Sequence, residues 1–273
     1  PLRKKYPERA IDVGIAEQNM ASVAAGMSSY GFIPFITSFT PFASRRICDQ
    51  IAISIAYAKQ NVKIIGSDPG ISAEFNGGTH MSMEDIGVLR SIPELVIYEP
   101  VDVAQFKQAL PQIVAYEGPV YIRMFRKTID DVFTDANYKF DLFGADCIQE
   151  GTAVTIFCSG IMVQETMKAN EILKQEGIDA EIINIHTIKP IDRDAVVASA
   201  KKTGAVVVAE NHNVIGGLTS AVCEVLMEEY PVPLRAVGVK DRFGQVGKMP
   251  FLKEEYHMTA KDIVSAVKEV IQL

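Results

Sequence analysis

An acidic residue, Glu17, stands at the junction between a short strand-like apolar run, residues 11–13, and a helical pattern. A carboxyl group in such a place can act as a general acid or base when burial raises its pKa toward the working pH. A first-turn carboxylate can equally do no more than complement the helix dipole. The position alone favours this second interpretation, so a catalytic role for Glu17 depends on its surroundings.

Four further residues have side chains suited to a flat or anionic ligand. Phe39 and Phe42 are three residues apart and can stack on an aromatic ring, a contact worth roughly 1 kcal/mol beyond area burial. His80 follows a pair of glycines and can exchange protons, and Arg126 can bind an anion. The simpler explanations are core phenylalanines, a histidine bound to local backbone groups, and a solvated basic pair of Arg126 with Lys127.

The elements that carry these residues alternate between helices and strands. Helical spacing marks residues 17–30, through Met20, Val23, Ala24 and Met27, and residues 47–58, through Ile47, Ile51, Ile55 and Ala58. Strand-sized β-rich runs lie at residues 32–36, 62–65, 95–98 and 120–123. Such alternation predicts a parallel sheet flanked by helices, with ligands at the carboxyl ends of its strands.

The alternation resumes after an irregular stretch and predicts a second α/β domain. We expect strands at residues 154–157, 182–183, 206–208 and 236–239. One helix should bury Met162, Thr166, Ala169 and Leu173, and a last helix should begin with a capping box at residues 259–262 and bury Ile263, Val267 and Ile271. The predicted organisation is a first domain at residues 1–126, a linker at residues 127–144 and a second domain at residues 145–273.

The composition is that of a globular protein and narrows the class of partner. Of 273 residues, 48% are apolar and 22% are charged, and the formal net charge is −7. Without a long basic block, nucleic-acid binding is not expected. No apolar run approaches the roughly 20 residues of a membrane-spanning helix, so no membrane contact is expected. The four cysteines have no paired spacing, which indicates reduced thiols and a cytoplasmic protein.

The order of several motifs resembles the pyrimidine-binding domain of transketolases, followed by a transketolase carboxy-terminal domain. The resemblance covers nearly the whole chain. In form, the chain is similar to the carboxy-terminal subunit of a split, two-chain transketolase. The motifs are Gly-Ile-Ala-Glu-Gln-Asn-Met at residues 14–20, the run 34–42, Gly-Gly-Thr-His at 77–80, residues 89–93 and 118–123, Thr-Ile-Lys-Pro-Ile-Asp at 187–192, residues 210–217, and Asp-Arg-Phe-Gly at 241–244.

That resemblance implies a thiamine-diphosphate enzyme that moves a two-carbon ketol unit from a ketose phosphate, or a modified sugar, to an aldose. The cofactor supplies the carbanion chemistry. Glu17 matches the glutamate that bonds the aminopyrimidine ring, and it should be most effective where it keeps or shares a proton. Ile15, Phe39 and Phe42 match the other positions that contact the cofactor.

The resemblance also implies a substrate site, and the sequence departs from the family there. His80 matches the histidine near the reacting carbons, and Arg126 matches the arginine at the terminal phosphate of the sugar. Asp68 stands where the family usually has a phosphate-binding histidine, Asn76 replaces an aspartate that reads sugar hydroxyls, and Met81 replaces a glutamine. Because a carboxylate repels a phosphate, we expect altered sugar specificity.

The diphosphate-binding signature of thiamine enzymes, Gly-Asp-Gly followed by paired asparagines, does not occur in the sequence. The resemblance therefore implies an amino-terminal transketolase subunit as partner, which holds the diphosphate and most of the Mg²⁺ coordination. No metal ligand is expected in this chain. A further contact between two copies should give an α2β2 assembly.

Alternatives remain open on the sequence alone. A deoxyxylulose-phosphate synthase-like or 2-oxo-acid dehydrogenase β-like subunit would share the architecture and differ in donor substrate. A non-catalytic dimerisation remnant would explain the altered substrate loop and the short stretch before Glu17, where the family usually has a strand and a helix. Retention of Glu17, Phe39, Phe42 and His80 argues against a remnant. The second domain shows no catalytic constellation, and His212 is expected to be structural.

Overall fold

Two five-stranded sheets, each flanked by helices, form the framework of the chain in a computed structural model that describes residues 2–273. The strands are β1 (Phe35–Phe39), β2 (Lys63–Ser67), β3 (Val96–Tyr98), β4 (Val120–Met124), β5 (Asp146–Gln149), β6 (Val154–Cys158), β7 (Ala180–Asn184), β8 (Thr187–Lys189), β9 (Val206–Asn213) and β10 (Leu234–Val239). The α-helices are α1 (Leu2–Lys5), α2 (Glu17–Ser29), α3 (Asp85–Arg90), α4 (Val103–Ala115), α5 (Met162–Gln175), α6 (Arg193–Thr203), α7 (Leu218–Glu229), α8 (Met249–Glu255) and α9 (Ala260–Val270). Arg45–Ile47 and Gly70–Asn76 are 3₁₀-helical, and Gln50–Tyr57 is π-helical. Among residues 2–273, none of the helices combines the length and the apolar character needed to cross a bilayer.

The first sheet has the strand order β1-β2-β4-β3-β8. Strands β1 to β4 pair in parallel, so the carboxyl ends of β1, β2 and β4 lie at one edge. Strand β8 comes from the second half of the chain and pairs antiparallel with β3, with Lys189 opposite Ile97. The two halves of the chain therefore share this sheet.

The second sheet has the order β10-β9-β6-β7-β5 and is parallel except for β5. Strands β6 and β7 are buried along their whole length, as expected where helices cover both faces. The predicted α/β fold with two helix-flanked sheets is confirmed. Helix α5 buries the four residues expected on its inner face, Met162, Thr166, Ala169 and Leu173.

Helix α9 begins with the predicted capping box, in which Asp262 Oδ2 accepts a 2.9 Å hydrogen bond from the Thr259 N–H. Ile263 and Val267 are buried as expected. Ile271 is 41% exposed, because α9 ends at Val270 and the chain turns away. The prediction that Ile271 is buried is therefore wrong.

The segment before Glu17 does not form the expected strand-like run at residues 11–13. The Asp12 carboxylate accepts a 3.0 Å hydrogen bond from the Gly14 N–H. A side chain that binds its own backbone two residues on stabilises a turn in place of a strand.

Two other expectations for the first half are wrong in detail. Val23 is exposed, and α2 buries a face of alanines in its place. The strand expected at residues 32–36 begins only at Phe35, because Pro34 has no N–H to donate to a neighbouring strand. The helical pattern over residues 47–58 is present but is largely π-helical.

A buried ionic cluster around Arg123, on β4, joins the two halves. Arg123 donates hydrogen bonds of 2.7 Å to Asp85 Oδ2, 2.6 Å to Glu99 Oε1 and 2.9 Å to the carbonyl oxygen of Asn211. Burial raises the pKa of Glu99. A buried charge is costly unless it is paired. Removing Asp85 or Glu99 would therefore strongly destabilise the contact between the two halves of the chain.

Residues 125–145 contain no helix or strand. Phe140 and Leu142 in this segment are buried with the core of the first sheet, so the segment packs closely against β3 and α4. The domain bounds 1–126, 127–144 and 145–273 stay a prediction.

Candidate active site

The predicted site residues lie mainly at one edge of the first sheet. Phe39 is the last residue of β1, Asp68 directly follows β2, and Arg126 lies two residues beyond β4. Glu17 is the first residue of α2. Because parallel strands end at the same edge, the topology brings together residues that are far apart in sequence.

Glu17 has a side chain that is only 11% exposed, and its Oε2 accepts a 3.0 Å hydrogen bond from Nη1 of Arg46. Burial raises the pKa of Glu17, but its own backbone N–H, Arg46 and Ser38 outweigh burial, so the pKa is lowered overall. In this chain Glu17 therefore favours the ionised form, in contrast to the protonated form expected from burial alone. Arg46 was not among the site residues predicted from the sequence.

His80 lies against both predicted ring-binding phenylalanines. Its ring centroid is 5.3 Å from that of Phe39 and 5.1 Å from that of Phe42, in each case edge to face, and the two phenylalanines are 6.4 Å apart. The Thr79 hydroxyl lies 2.9 Å from Nδ1 of His80. Three of the predicted residues thus form one aromatic group.

Each phenylalanine also lies beneath a guanidinium group. The Arg46 guanidinium carbon is 3.9 Å from the ring centroid of Phe42, and that of Arg126 is 4.9 Å from the centroid of Phe39. A cation over an aromatic face is attracted by about 0.5–1 kcal/mol at an exposed site. The aromatic group is therefore bordered by positive charge, which suits an anionic substrate.

Arg126 is paired with Asp68, the residue that replaces the family histidine. Nε of Arg126 donates a 2.7 Å hydrogen bond to Oδ2 of Asp68, and Nη2 contacts the same oxygen. The Asp68 side chain is 4% exposed, whereas that of Arg126 is half exposed. Asp68 thus lies beneath the guanidinium and compensates part of its charge.

Two predicted site residues are not part of this group. Asn76 is exposed, and its amide donates a 2.8 Å hydrogen bond to the carbonyl oxygen of Ala73. Ile15 is 95% exposed. Met81, at the third altered position, is buried and offers no polar atom to a sugar.

A loop from the second half packs directly on the glycines before His80. A Cβ atom on Gly78 would lie 2.4 Å from the carbonyl oxygen of Gly244. Gly244 belongs to the Asp-Arg-Phe-Gly motif, and its contact with the His80 loop was not predicted from the sequence. A cavity of about 390 Å³ lies between the two loops, lined by Arg45, Gly78, Met81, Met83, Glu84, Asn213 and residues 241–244.

His212 lies next to the buried ionic cluster around Arg123, consistent with the structural role expected. Its Nε2 is 3.9 Å from Oδ1 of Asp85, and burial lowers its pKa to about 4. Glu210, two residues earlier on β9, accepts a 2.7 Å hydrogen bond from the Leu218 N–H at the start of α7. Burial raises the pKa of Glu210 to about 7.

The carboxyl group of Glu17 and the nearby aromatic rings fit an aminopyrimidine better than a diphosphate with Mg²⁺. Within residues 2–273, one group of three side chains, Cys147, Glu150 and Glu181, could hold a metal ion. These residues lie at the second sheet, and both carboxylates pair with Lys202. Glu17 itself is paired with Arg46, so this edge offers an acid and aromatic rings but no cluster of oxygen ligands for Mg²⁺.

Comparisons with known proteins show the family of the chain. Residues 2–130 match the family model "Transketolase, pyrimidine binding domain", and residues 144–263 match "Transketolase, C-terminal domain". The chain is 56% identical over 269 residues to the 6-deoxy-6-sulfo-D-fructose transketolase subunit SqwH of Clostridium sp. (strain MSTE9), covering 98% of this chain and 83% of that protein. It is 32% identical over 269 residues to a subunit of the apulose-4-phosphate transketolase of Phocaeicola vulgatus, covering 98% of this chain and 86% of that protein.

A solved structure described as "Split gene transketolase, inactive beta4 tetramer" superposes with a TM-score of 0.91 at 42% identity, covering 100% of this chain and 87% of that chain. The fold and the matching family models thus define a thiamine-diphosphate-dependent enzyme of the transferase class. The chain belongs to the transketolase family and is a transketolase subunit.

Proposed function

We propose that this subunit supplies the aminopyrimidine pocket of a two-chain transketolase. The observation that carries the proposal is the aromatic group of Phe39, Phe42 and His80, to which Glu17 is connected through Arg46. Bound thiamine diphosphate would supply the stabilised carbanion. Glu17 would hold or give a proton at a carboxylate oxygen, the phenylalanines would hold the ring, and Ile15 would contact the cofactor from the surface.

The diphosphate and Mg²⁺ are then held mainly by an amino-terminal partner subunit, in an α2β2 assembly. Support comes from exposed apolar side chains on and beside α2, β1 and the π-helical segment, namely Val23, Tyr30, Phe32, Phe35 and Tyr57. Such a surface is typical of a protein interface. The related solved structure is described as an inactive tetramer, which agrees with a need for a partner. A cytoplasmic location, expected from the unpaired cysteines, belongs to the same proposal.

The substrate proposal rests on the pair of Asp68 and Arg126. A phosphate monoester carries about 1.5 to 2 negative charges at pH 7, whereas a sulfonate carries one. Since Asp68 compensates part of the Arg126 charge, the site favours the singly charged anion. The relative at 56% identity is named for a sulfonated fructose.

We therefore propose that the donor is a six-carbon ketose with a terminal sulfonate. The bond between C2 and C3 breaks, the two-carbon unit joins the aldehyde carbon of an acceptor aldose, and a four-carbon aldehyde that keeps the sulfonate is released. His80 would exchange protons near the reacting carbons, Arg126 would bind the sulfonate, and Asn76 would reach the sugar hydroxyls from the rim.

The experiment compares two donors in the enzyme reconstituted with its partner subunit, thiamine diphosphate and Mg²⁺. Steady-state rates are measured with 6-deoxy-6-sulfofructose and with fructose 6-phosphate, each with the same acceptor aldose. A higher kcat/KM for the sulfonated donor supports the proposal. An equal or higher value for the phosphorylated donor contradicts the substrate assignment, and no transfer from any ketose contradicts the pocket assignment.

A further inference from the structure

Arg46 connects two residues of the proposed cofactor pocket. Its Nη1 donates to Glu17 Oε2 at 3.0 Å, and its guanidinium carbon lies 3.9 Å from the centre of the Phe42 ring. Its backbone carbonyl oxygen accepts a 3.4 Å hydrogen bond from the Gln18 side chain at the start of α2. The guanidinium is thus held between an aromatic face and a carboxylate.

We propose that Arg46 is a positioning residue that holds one oxygen of Glu17 and keeps that carboxyl group ionised until the aminopyrimidine ring binds. This inference rests on the proposed role of Glu17 in the pocket. With Glu17 ionised by Arg46, the proton that Glu17 shares with the ring must come from solution.

The groups around Glu17 explain why its ionisation depends on Arg46. The groups that act on Glu17 are Arg46 from the 3₁₀-helical turn, the Ser38 hydroxyl from β1 and the backbone N–H of Glu17 itself. Arg46 is the charged one among them. Burial by itself pushes the pKa of Glu17 upward, so without Arg46 the carboxyl group would take up a proton at higher pH.

The adjacent Arg45 provides a matched comparison. It has the same charge and lies on the same turn, but it pairs with Glu84. Replacing Arg45 removes an equal charge from the turn while leaving the contact between Arg46 and Glu17 in place. An effect specific to Arg46 therefore cannot be a general effect of positive charge.

The consequence is a coupling between cofactor binding and proton uptake. If Glu17 is ionised before binding, the proton that it shares with the ring is taken from solution, and binding takes up about one proton through this residue. If Glu17 is already protonated, that uptake falls. A merely structural role for Arg46 would change the affinity but not the number of protons.

The test is calorimetric titration of thiamine diphosphate into the reconstituted two-chain enzyme with saturating Mg²⁺, in buffers of different ionisation enthalpy, at pH 6 and pH 8. The variants are Arg46→Met, Arg46→Lys, Arg45→Met and Glu17→Gln. Subtracting the uptake of Glu17→Gln removes protons taken up by the diphosphate and the partner. Arg46→Lys keeps the charge if Arg46→Met fails to fold.

At pH 6 we expect Arg46→Met to take up fewer protons than wild type, Arg45→Met to match wild type, and Arg46→Lys to recover most of the uptake. At pH 8 the difference should be smaller, because ionisation of Glu17 is more complete at higher pH in every variant that has it. Equal uptake by Arg46→Met and wild type at pH 6 would overturn the inference. Equal uptake by Glu17→Gln and wild type would instead overturn the proposed role of Glu17.

Discussion

Arg126 and Asp68 form a hydrogen-bonded ion pair of 2.7 Å in which the carboxylate is buried and the guanidinium is half exposed. The backbone N–H of Arg126 also lies 3.3 Å from Oδ1 of Asp68. The pair joins the ends of β2 and β4, so the carboxylate fixes the position of the arginine as well as its net charge. The proposed specificity for the anion at the end of the sugar rests on this pair.

Replacing the buried carboxylate should shift the preference for the anion. In Asp68→Asn the shape is kept and the negative charge is lost, so Arg126 presents its full charge. We expect the ratio of kcat/KM for phosphorylated over sulfonated donor to rise about tenfold, since like charges a few ångströms apart cost on the order of 1 kcal/mol or more. Steady-state kinetics on both donors measures the ratio. Asp131→Asn, at an exposed position, is the control, and an unchanged ratio in Asp68→Asn contradicts the account.

Removing the carboxyl group of Glu17 should lower turnover strongly while keeping the fold. Glu17→Gln preserves the side-chain shape but cannot share a proton with the cofactor ring, so kcat should fall by roughly 10²-fold or more. The measurement is turnover at saturating cofactor, with subunit assembly checked by sedimentation. Turnover close to wild type would return Glu17 to the role of a helix-dipole partner.

The contact between Gly78 and Gly244 should position His80. Gly78→Ala places a Cβ 2.4 Å from the Gly244 carbonyl oxygen. Either the His80 loop or the loop that contains Gly244 must then move. We expect a loss of about 1–3 kcal/mol of stability together with a fall in kcat. Gly26→Ala, in α2 with open space around it, is the control and should be neutral or slightly stabilising. If Gly78→Ala retains wild-type kcat, the loop contact does not position His80.

A buried carboxyl group in the second half should make stability depend on pH. Burial raises the pKa of Asp146 to about 6 in the folded chain, so the folded state binds its proton more tightly than the unfolded state does. The contribution of Asp146 to stability therefore falls as the pH rises through the range from about 4 to about 6. Asp146→Asn should gain unfolding free energy relative to wild type over this range, as measured by urea denaturation. A constant difference between the two proteins across the range would contradict this.

The sequence predicts the alternation of strands and helices well because each buried strand is a short β-rich run, as in β6, and each helix has an apolar face, as in α5. It could not show that β8 joins the first sheet, because pairing between distant segments leaves no local pattern. Val23 and Ile271 fit the apolar pattern of their helices but are exposed. Which residues of a helix are buried, and where α9 ends, depends on tertiary packing.

At the site, Phe39, Phe42 and His80 form one group as the resemblance predicts, and Glu17 is connected to it through Arg46, whereas Ile15 and Asn76 lie outside the group. Arg46 was missed because a second arginine in a basic pair carries no spacing signal. The proximity of Asp68 to the anion bound by Arg126 was expected, as a repulsion of the substrate, but the hydrogen-bonded ion pair of Asp68 with Arg126 was not predicted. Both relationships depend on side chains that meet only after the strands are aligned.

The central claim is that this chain offers the ring pocket while a partner holds the diphosphate and metal. The most direct measurement is calorimetric titration of thiamine diphosphate with Mg²⁺ into the chain alone and into the chain mixed with its amino-terminal partner. We predict weak binding by the chain alone and a gain of at least about 100-fold in affinity with the partner, since about 2.7 kcal/mol of added contacts gives that factor. Submicromolar binding by the chain alone would contradict the account.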